Sequence, residues 1–343
     1  MSEKTNKLSV LLIGCGNIAG GFDVDSVMGV APRTHAGAYV SHGSFSIDSC
    51  IEPDEAKRAA FMRRWGVKSG YADITEVANS HKGRFDVISI CSPTASHYVD
   101  TVAAMALQPR LLFCEKPLCA DVVQAADLVQ SCATQKILLA VNHNRRWDPE
   151  VARLRYELRS GQWGALRSVC CHYNKGVLNN GSHMIDLLQD LFGPLELCHA
   201  GLPLIDYTPD DPTVPALLRT GSGIQISLNA GHAADYSLFE LQVVTEHGLI
   251  TMEDGGMRWR RRIATASHQF ANYRALPEGE LEVGGYLQTM PNAVANIFDA
   301  LRAGVALAST GHSALESQKL CDRLRTASFE SVLLSPPGTP GSF

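Results

Sequence analysis

The feature that most constrains the fold is an apolar run near the start of the chain that breaks into a glycine-rich turn. Residues 8–13, Leu-Ser-Val-Leu-Leu-Ile, have the composition of a buried β-strand, and the sequence Gly-Cys-Gly-Asn-Ile-Ala follows directly. Glycines at this spacing let the backbone approach a pyrophosphate at the N-terminus of the next helix. The turn therefore predicts the first βα unit of a Rossmann dinucleotide-binding fold. The residues that we expect against the cofactor are Gly14, Gly16, Asn17, Ile18 and Ala19.

Strands and helices alternate through the rest of the first 147 residues. Apolar strands are predicted at 45–51, 85–91, 110–114 and 137–142, without the alternation that marks a sheet with one solvated face. Helical periods or helix-start signals separate these strands. This order predicts an α/β fold for residues 1–147, a dinucleotide-binding Rossmann domain with a doubly wound parallel sheet.

The pattern changes at Asp148-Pro149, where an N-cap residue followed by proline begins a helix. Beyond this helix, apolar and polar residues alternate, as they do from 239 to 243, and turns separate short strands. We therefore predict an α+β C-terminal domain over residues 148–334, with a large, mostly antiparallel open sheet. The Pro- and Gly-rich residues 335–343 are predicted to form a loose tail.

A segment without regular period interrupts the helix that should follow the glycine turn. Residues 22–33 contain Gly and Pro, and helical residues resume at Thr34. Two interpretations stay open for this segment. It is either a loop that overhangs the cofactor crevice or a tolerated surface insertion.

Composition excludes several classes of protein. A length of 343 residues allows two domains, and a formal net charge of -5 provides no general attraction for nucleic acid or an anionic membrane. The first residues lack the apolar core of a signal peptide, and no apolar run is long enough to span a bilayer, so we predict a cytoplasmic protein. Most of the ten cysteines lie in apolar runs, and Cys170-Cys171-His172 has no matching ligand pair at zinc spacing. No metal site is predicted.

The end of the second strand indicates which cofactor is bound. Glu52 follows that strand, where an acidic side chain accepts hydrogen bonds from the adenosine ribose hydroxyls and repels a 2′-phosphate. This position favours NAD over NADP. The alternative is that Glu52 only stabilises the first turn of the following helix.

Four further motifs follow in order along the chain. They are Ser92-Pro93-Thr94-x-x-His97, Glu115-Lys116-Pro117, Asn142-His-Asn144-Arg-Arg146-Trp147-Asp-Pro149 and Gly181-Ser-His183-x-x-Asp186. Together with the glycine turn, they resemble the Gfo/Idh/MocA family of NAD(P)-dependent oxidoreductases. The residue before a proline is driven out of the α region, so Lys116 should leave its strand extended and project into the crevice beyond the carboxyl ends of the sheet.

The resemblance implies roles for particular residues. Lys116 and His183 would be catalytic, with His183 exchanging the substrate hydroxyl proton and Lys116 stabilising charge on the same oxygen. Further cofactor contacts implied are Ser92, Pro93, Thr94, His97, Glu115 and Lys116. Substrate contacts implied are Asn144, Arg146, Trp147, Lys175, Asn179, Asn180 and His183. Family members commonly associate through the open face of the C-terminal sheet, so we expect a homodimer or homotetramer.

One position departs from the family pattern. Many family dehydrogenases have Asp four residues before the histidine, and here that residue is Asn179, which can hydrogen-bond a sugar hydroxyl but cannot act as a base. The surrounding stretch looks more like members associated with nucleotide-activated or surface-polysaccharide sugars. Arg258, Arg260 and Arg262 share one face of a predicted strand, which is either a solvated face or, with Lys175, a clamp for a pyrophosphate.

The function expected from these features is NAD-dependent hydride transfer between nicotinamide and a carbinol or keto carbon of a sugar, nucleotide-linked sugars included. A dehydrogenase of a free cyclitol or sugar acid is the first alternative. The second is an NAD-binding regulatory protein without turnover, and a third family type hydrolyses glycosides through transient oxidation.

Overall fold

The computed structural model describes residues 7–24, 30–80 and 85–334. The predicted tail 335–343 and the middle of the predicted insertion therefore lie outside the described residues. The chain divides into two compact units, each discontinuous in sequence: 1–148 with 287–316, and 149–286 with 317–343.

The first unit is built on a six-stranded parallel sheet in the order β3-β2-β1-β4-β5-β6. Its strands are β1 Leu8–Ile13, β2 Phe45–Ile51, β3 Ser69–Tyr71, β4 Val87–Ile90, β5 Leu111–Cys114 and β6 Leu138–Val141. Its first helices are α1 His35–His42, α2 Glu55–Trp65, α3 Ile74–Ser80, α4 His97–Ala106 and α5 Val122–Thr134. Short 3₁₀ turns lie at Gly21–Asp23, Thr94–Ser96 and Asn144–Trp147. The order reverses between β1 and β4, which confirms the predicted doubly wound sheet.

Both faces of this sheet are buried. Val10 and Leu12 of β1 pack into one apolar cluster, whereas Leu11 and Ile13 pack into another on the opposite face. Local signals delimit the flanking helices. The Asp54 carboxylate accepts hydrogen bonds from the backbone N–H groups of Ala56 and Lys57 and so caps α2.

The second unit is built on an eight-stranded sheet in the order β18-β15-β14-β13-β7-β12-β11-β8, and its pairs are antiparallel except for β7 with β12. The elements are α6 Pro149–Arg159, β7 Leu166–Tyr173, a π-helix at Gly176–Gly181, α7 Ser182–Phe192, β8 Leu195–Ala200, β9 Leu204–Thr208, β10 Asp211–Thr213, β11 Ala216–Thr220, β12 Gln225–Ala230, β13 Phe239–Thr245, β14 Gly248–Glu253, β15 Arg258–Ile263, β16 Thr265–Ala266, β17 Arg274–Ala275 and β18 Glu280–Val283. Strands β9 and β10 form a separate two-stranded ribbon, as do β16 and β17. The predicted large, mostly antiparallel sheet is confirmed.

Two helices close the chain, α8 Thr289–Ala303 and α9 Gly311–Leu334, after 3₁₀ turns at Asp254–Gly256 and Tyr286–Gln288. Helix α8 belongs to the first unit, where Val294 and Ile297 share an apolar cluster with Val10 of β1. The indole Nε1 of Trp147 donates a hydrogen bond to Asn296 Oδ1 at 3.0 Å. Leu320, Cys321 and Leu324 of α9 instead join the core of the second unit.

In the described ranges, no helix combines the length and the apolar character needed to cross a bilayer. Among the same residues, no cluster of three or more His, Cys, Asp or Glu side chains is arranged to hold a metal ion.

Candidate active site

The glycine turn is held closely against the neighbouring strand ends. Gly14 has φ +89°, and a Cβ there would lie 2.7 Å from the backbone nitrogen of Ser92. Its own N–H donates to the carbonyl oxygen of Ile51 at 2.8 Å. No atom lies within 4 Å of the position that a Cβ of Gly16 would take. The turn therefore needs glycine at 14 for packing, and at Gly16 it leaves open space for a ligand.

A crevice of about 1000 Å³ opens at this turn, at the carboxyl ends of β1, β2 and β4. The predicted cofactor residues that line it are Gly14, Gly16, Asn17, Ile18, Glu52, Ser92 and Pro93. Phe22, Lys57, Asp73, Ser96 and Asp100 also line it, and no sequence motif indicated them. Ala19, in contrast, is fully buried in the core of the unit. The crevice lies at the point where the strand order reverses, the usual ligand site of such sheets.

Glu52 is oriented by backbone groups on both sides. One carboxylate oxygen accepts the Cys15 N–H at 3.0 Å and the other accepts the Asp54 N–H at 3.2 Å. Each oxygen keeps capacity for a further hydrogen bond, so the carboxylate can accept from two ribose hydroxyls.

The residues of the crevice fit a nicotinamide dinucleotide. Ser92 is among the buried hydroxyls that have no hydrogen-bond partner within the described protein, and it lies in the crevice wall. A buried hydroxyl without a partner is costly, and a bound polar ligand would remove that cost. Together with the open space at Gly16 and the carboxylate of Glu52, it provides what the pyrophosphate and ribose of a dinucleotide require.

Glu115 anchors the turn that carries Lys116. Its side chain is buried, and one carboxylate oxygen lies 2.9 Å from His35 Nε2 and accepts the Asn142 amide at 2.7 Å. The other oxygen accepts the backbone N–H of Lys116 at 3.3 Å. Burial raises the pKa of Glu115, but the hydrogen bonds from His35 and Asn142 outweigh that effect, so its pKa lies below the ordinary value.

The role of His35 was missed in the sequence. It is fully buried at the start of α1, directly after the insertion, and pairs with a residue 80 positions later. No local spacing indicates such a pair. His97 has a comparable bridging place, since its ring nitrogens lie 2.8 Å from the Pro117 carbonyl oxygen and 2.9 Å from that of Ser92. The Lys116–Pro117 peptide bond is cis.

The three predicted substrate residues of the first unit lie in the 3₁₀ turn Asn144–Trp147. Trp147 is buried in the core and its ring lies 5.9 Å from that of Phe113. A guanidinium nitrogen of Arg146 donates to the Ala308 carbonyl oxygen at 3.4 Å. Trp147 therefore packs within the unit, and substrate contacts through Asn144, Arg146 and Trp147 stay predictions.

The predicted substrate residues of the second unit share one short segment. Lys175 has φ +66° and precedes the π-helix, which contains Asn179 and Asn180, and His183 lies in the first turn of α7. All four side chains are partly exposed. Asp186, one turn after His183, is buried and accepts a hydrogen bond from Ser317 at 3.2 Å.

The predicted arginine face is occupied by contacts within the protein. Arg260 pairs with Glu253 at 3.0 Å, and Arg258 lies 3.8 Å from Asp254. Arg262 donates to the carbonyl oxygens of residues 276 and 277. These contacts favour the interpretation of a surface face over that of a pyrophosphate clamp.

The N-terminal part of the chain matches a known protein family. Residues 8–143 match the Gfo/Idh/MocA family model, described as an oxidoreductase family with an NAD-binding Rossmann fold. The Rossmann portion of the chain belongs to this family, and the chain is an NAD(P)-dependent oxidoreductase. Inositol 2-dehydrogenase of Rhizobium meliloti is 22% identical over 311 residues, which cover 84% of this chain and 91% of that relative.

Solved structures of two dehydrogenases share the fold. The complex of levoglucosan dehydrogenase with NADH matches with a TM-score of 0.77 at 18% identity, covering 95% of this chain and 98% of that one. The WlbA dehydrogenase from Bordetella pertussis, in complex with NADH and UDP-GlcNAcA, matches with a TM-score of 0.74 at 17% identity, covering 94% and 97%. At these identities the matches show the fold alone.

Proposed function

We propose that this protein is an NAD-dependent dehydrogenase that oxidises a carbinol carbon of a free sugar or cyclitol, or reduces the corresponding ketone. The observation that carries the proposal is the crevice in which Glu52 faces the glycine turn, together with Lys116 at the carboxyl end of β5. The well-covered relative is named an inositol dehydrogenase, which supports a polyol substrate.

Bound NAD would supply the hydride acceptor, C4 of the nicotinamide, and the protein would supply binding and proton transfer. The ammonium group of Lys116 would hydrogen-bond the reacting oxygen and stabilise the negative charge that develops there. His183 would take the hydroxyl proton during oxidation and return it during reduction. Glu115 fixes the backbone from which Lys116 projects, because it accepts the Lys116 N–H while His35 and Asn142 hold its carboxylate.

A nucleotide-linked sugar is the second candidate. The WlbA dehydrogenase, which shares the fold, was solved in complex with UDP-GlcNAcA, and this favours such a substrate. Against it, the arginines that would have held a pyrophosphate are engaged with Glu253, Asp254 and backbone carbonyls. We therefore place free sugars and cyclitols first.

The test is NADH formation by the purified protein with NAD and separate sets of cyclitols, free sugars, sugar acids and matched UDP-linked sugars. We expect turnover of a free polyol at a rate at least equal to that of its nucleotide-linked counterpart. Faster turnover of the nucleotide-linked sugar would contradict our proposal that free sugars and cyclitols are the preferred substrates. NAD binding without turnover in either direction would support the regulatory protein, and glycoside cleavage without net NADH would support the hydrolase.

Cofactor preference gives a separate prediction. Replacing Glu52 by Gln keeps an acceptor for Cys15 N–H but removes the charge that would repel a 2′-phosphate. Because charged hydrogen bonds to the ribose are lost, we expect NAD affinity to fall about 10-fold. The ratio of NAD affinity to NADP affinity should fall by more than this, because the repulsion of the 2′-phosphate is lost as well. Titration calorimetry with both cofactors measures this. Lys57 also lines the crevice, but its positive charge is partly balanced by the Asp54 carboxylate, which lies 3.8 Å from the ammonium nitrogen.

The matched control is Glu55→Gln, since Glu55 is an exposed carboxylate in the first turn of α2. It should leave both affinities unchanged. Equal affinity of the wild-type protein for NAD and NADP would refute the role given to Glu52.

A further inference from the structure

The backbone of the segment that carries Asn179 is bound by the side chain of a separate element. Asp211, at the start of β10, accepts the N–H of Leu178 with one carboxylate oxygen and the N–H of Asn179 with the other, both at 2.8 Å. A carboxylate that accepts two successive backbone N–H groups fixes their orientation as a helix cap does. Asp211 therefore sets the conformation of the π-helix immediately before His183.

The same ribbon holds the residues that precede the π-helix. Asp206 of β9 accepts the Lys175 N–H at 2.9 Å, and Thr213 of β10 accepts the Gly176 N–H at 2.8 Å. The Thr213 hydroxyl in turn donates to Asp206 at 2.8 Å. Side chains of β9 and β10 thus bind the N–H groups of residues 175, 176, 178 and 179.

The segment that begins at Lys175 and the β9–β10 ribbon lie too close together to leave room for a side chain at residue 176. Gly176 has φ +82°, and a Cβ there would lie 2.2 Å from an Asp211 carboxylate oxygen. Burial raises the pKa of Asp211, although the N–H groups of Leu178 and Asn179 and the charge of Arg325 act in the opposite direction. Burying a carboxyl group costs free energy of folding unless the group forms hydrogen bonds.

We propose that Asp211 is a positioning residue for substrate binding, which acts by fixing the backbone that presents Asn179, Asn180 and His183. This inference rests on the proposed function, because it takes that segment as the substrate-contacting one. The contact is direct at Asn179, whose backbone N–H donates to the carboxylate of Asp211.

The first experiment uses the full-length Asp211→Asn protein. The asparagine keeps one acceptor oxygen, but its NH₂ group faces a backbone N–H, so only one of the two bonds can remain. We expect faster hydrogen–deuterium exchange at Leu178 and Asn179. We also expect a KM for the sugar or cyclitol raised about 10-fold, a smaller change in kcat and unchanged NAD affinity. Asp210→Asn, an exposed neighbour with the same change of charge, should match the wild type.

A second pair of variants applies if Asp211→Asn does not fold. Thr213→Val removes the acceptor of Gly176 N–H with little change of shape, and Thr213→Ser restores a hydroxyl. We expect Thr213→Val to raise KM and Thr213→Ser to return it towards the wild-type value.

Two results would overturn the proposal: wild-type exchange at Leu178 and Asn179 in Asp211→Asn, or faster exchange there with an unchanged KM. The exchange measurement needs no substrate. Failure of the proposed function would instead appear as absence of polyol turnover in the wild-type protein, so the two failures are distinguishable.

Discussion

Replacement of Lys116 by methionine is expected to lower the rate of hydride transfer about 10²–10⁴-fold while NAD still binds. Methionine keeps the length of the side chain but loses the charge and the hydrogen-bond donors. The anchor of the turn should persist, because Glu115 contacts the backbone N–H of Lys116 and the side chains of His35 and Asn142. The change should therefore act on the chemical step more than on folding.

Single-turnover measurements across a range of pH test this prediction, with His183→Asn studied beside Lys116→Met. We expect His183→Asn to slow the same step and to flatten its pH profile, because a general base has been removed. Lys68→Met is the matched control, since Lys68 is an exposed lysine of the same unit and should keep the wild-type rate. Wild-type rates in both active-site variants would show that neither residue takes part in the reaction.

Replacement of Arg261 by methionine is expected to lower the free energy of unfolding by about 3 kcal/mol. The Arg261 side chain is only 7% exposed and lies between three carboxylates: Glu150 at 3.1 Å, Glu157 at 3.4 Å and Glu282 at 2.9 Å. Arg153, which is partly exposed, also contacts all three carboxylates and would compensate only part of their charge. Breaking a buried ion pair by removing one partner leaves an uncompensated buried charge.

Urea unfolding followed by circular dichroism measures the loss. Arg258→Met, on the same strand but on its exposed face, is the control, because an exposed pair such as Arg258 with Asp254 contributes about 0–1 kcal/mol. Equal losses in the two variants would mean that the buried cluster adds no more stability than a surface pair.

The predictions that held were those made from adjacent residues. Strand Phe45–Ile51 has the predicted bounds, and helix Glu55–Trp65 follows it where a helix was predicted, because an apolar run and the Asp54 cap specify them locally. The predicted resumption of helix at Thr34 is matched closely, since the Thr34 side chain caps α1, which begins at His35. Such signals act over a few residues, and the sequence displays them directly.

What the sequence did not indicate depends on residues that are distant along the chain. The pair of His35 and Glu115 spans 80 residues, and the contact of Asp211 with Asn179 spans 32. Neither has a spacing or composition that marks it. The arginine strand left two interpretations open for a related reason: its pattern showed which residues share a face but not that Glu253 and Asp254 would lie beside two of them.

The return of α8 to the first unit has a consequence for synthesis on the ribosome. Val294 and Ile297 belong to the same apolar cluster as Val10, so the nascent chain exposes part of that cluster until α8 has been made. A domain that is contiguous in sequence can fold as soon as it emerges from the ribosome. The first unit of this protein instead cannot complete its core before α8 is made, and α8 is translated after most of the second unit. Translation that stops early, even well past residue 148, therefore yields two incomplete halves rather than one finished and one missing.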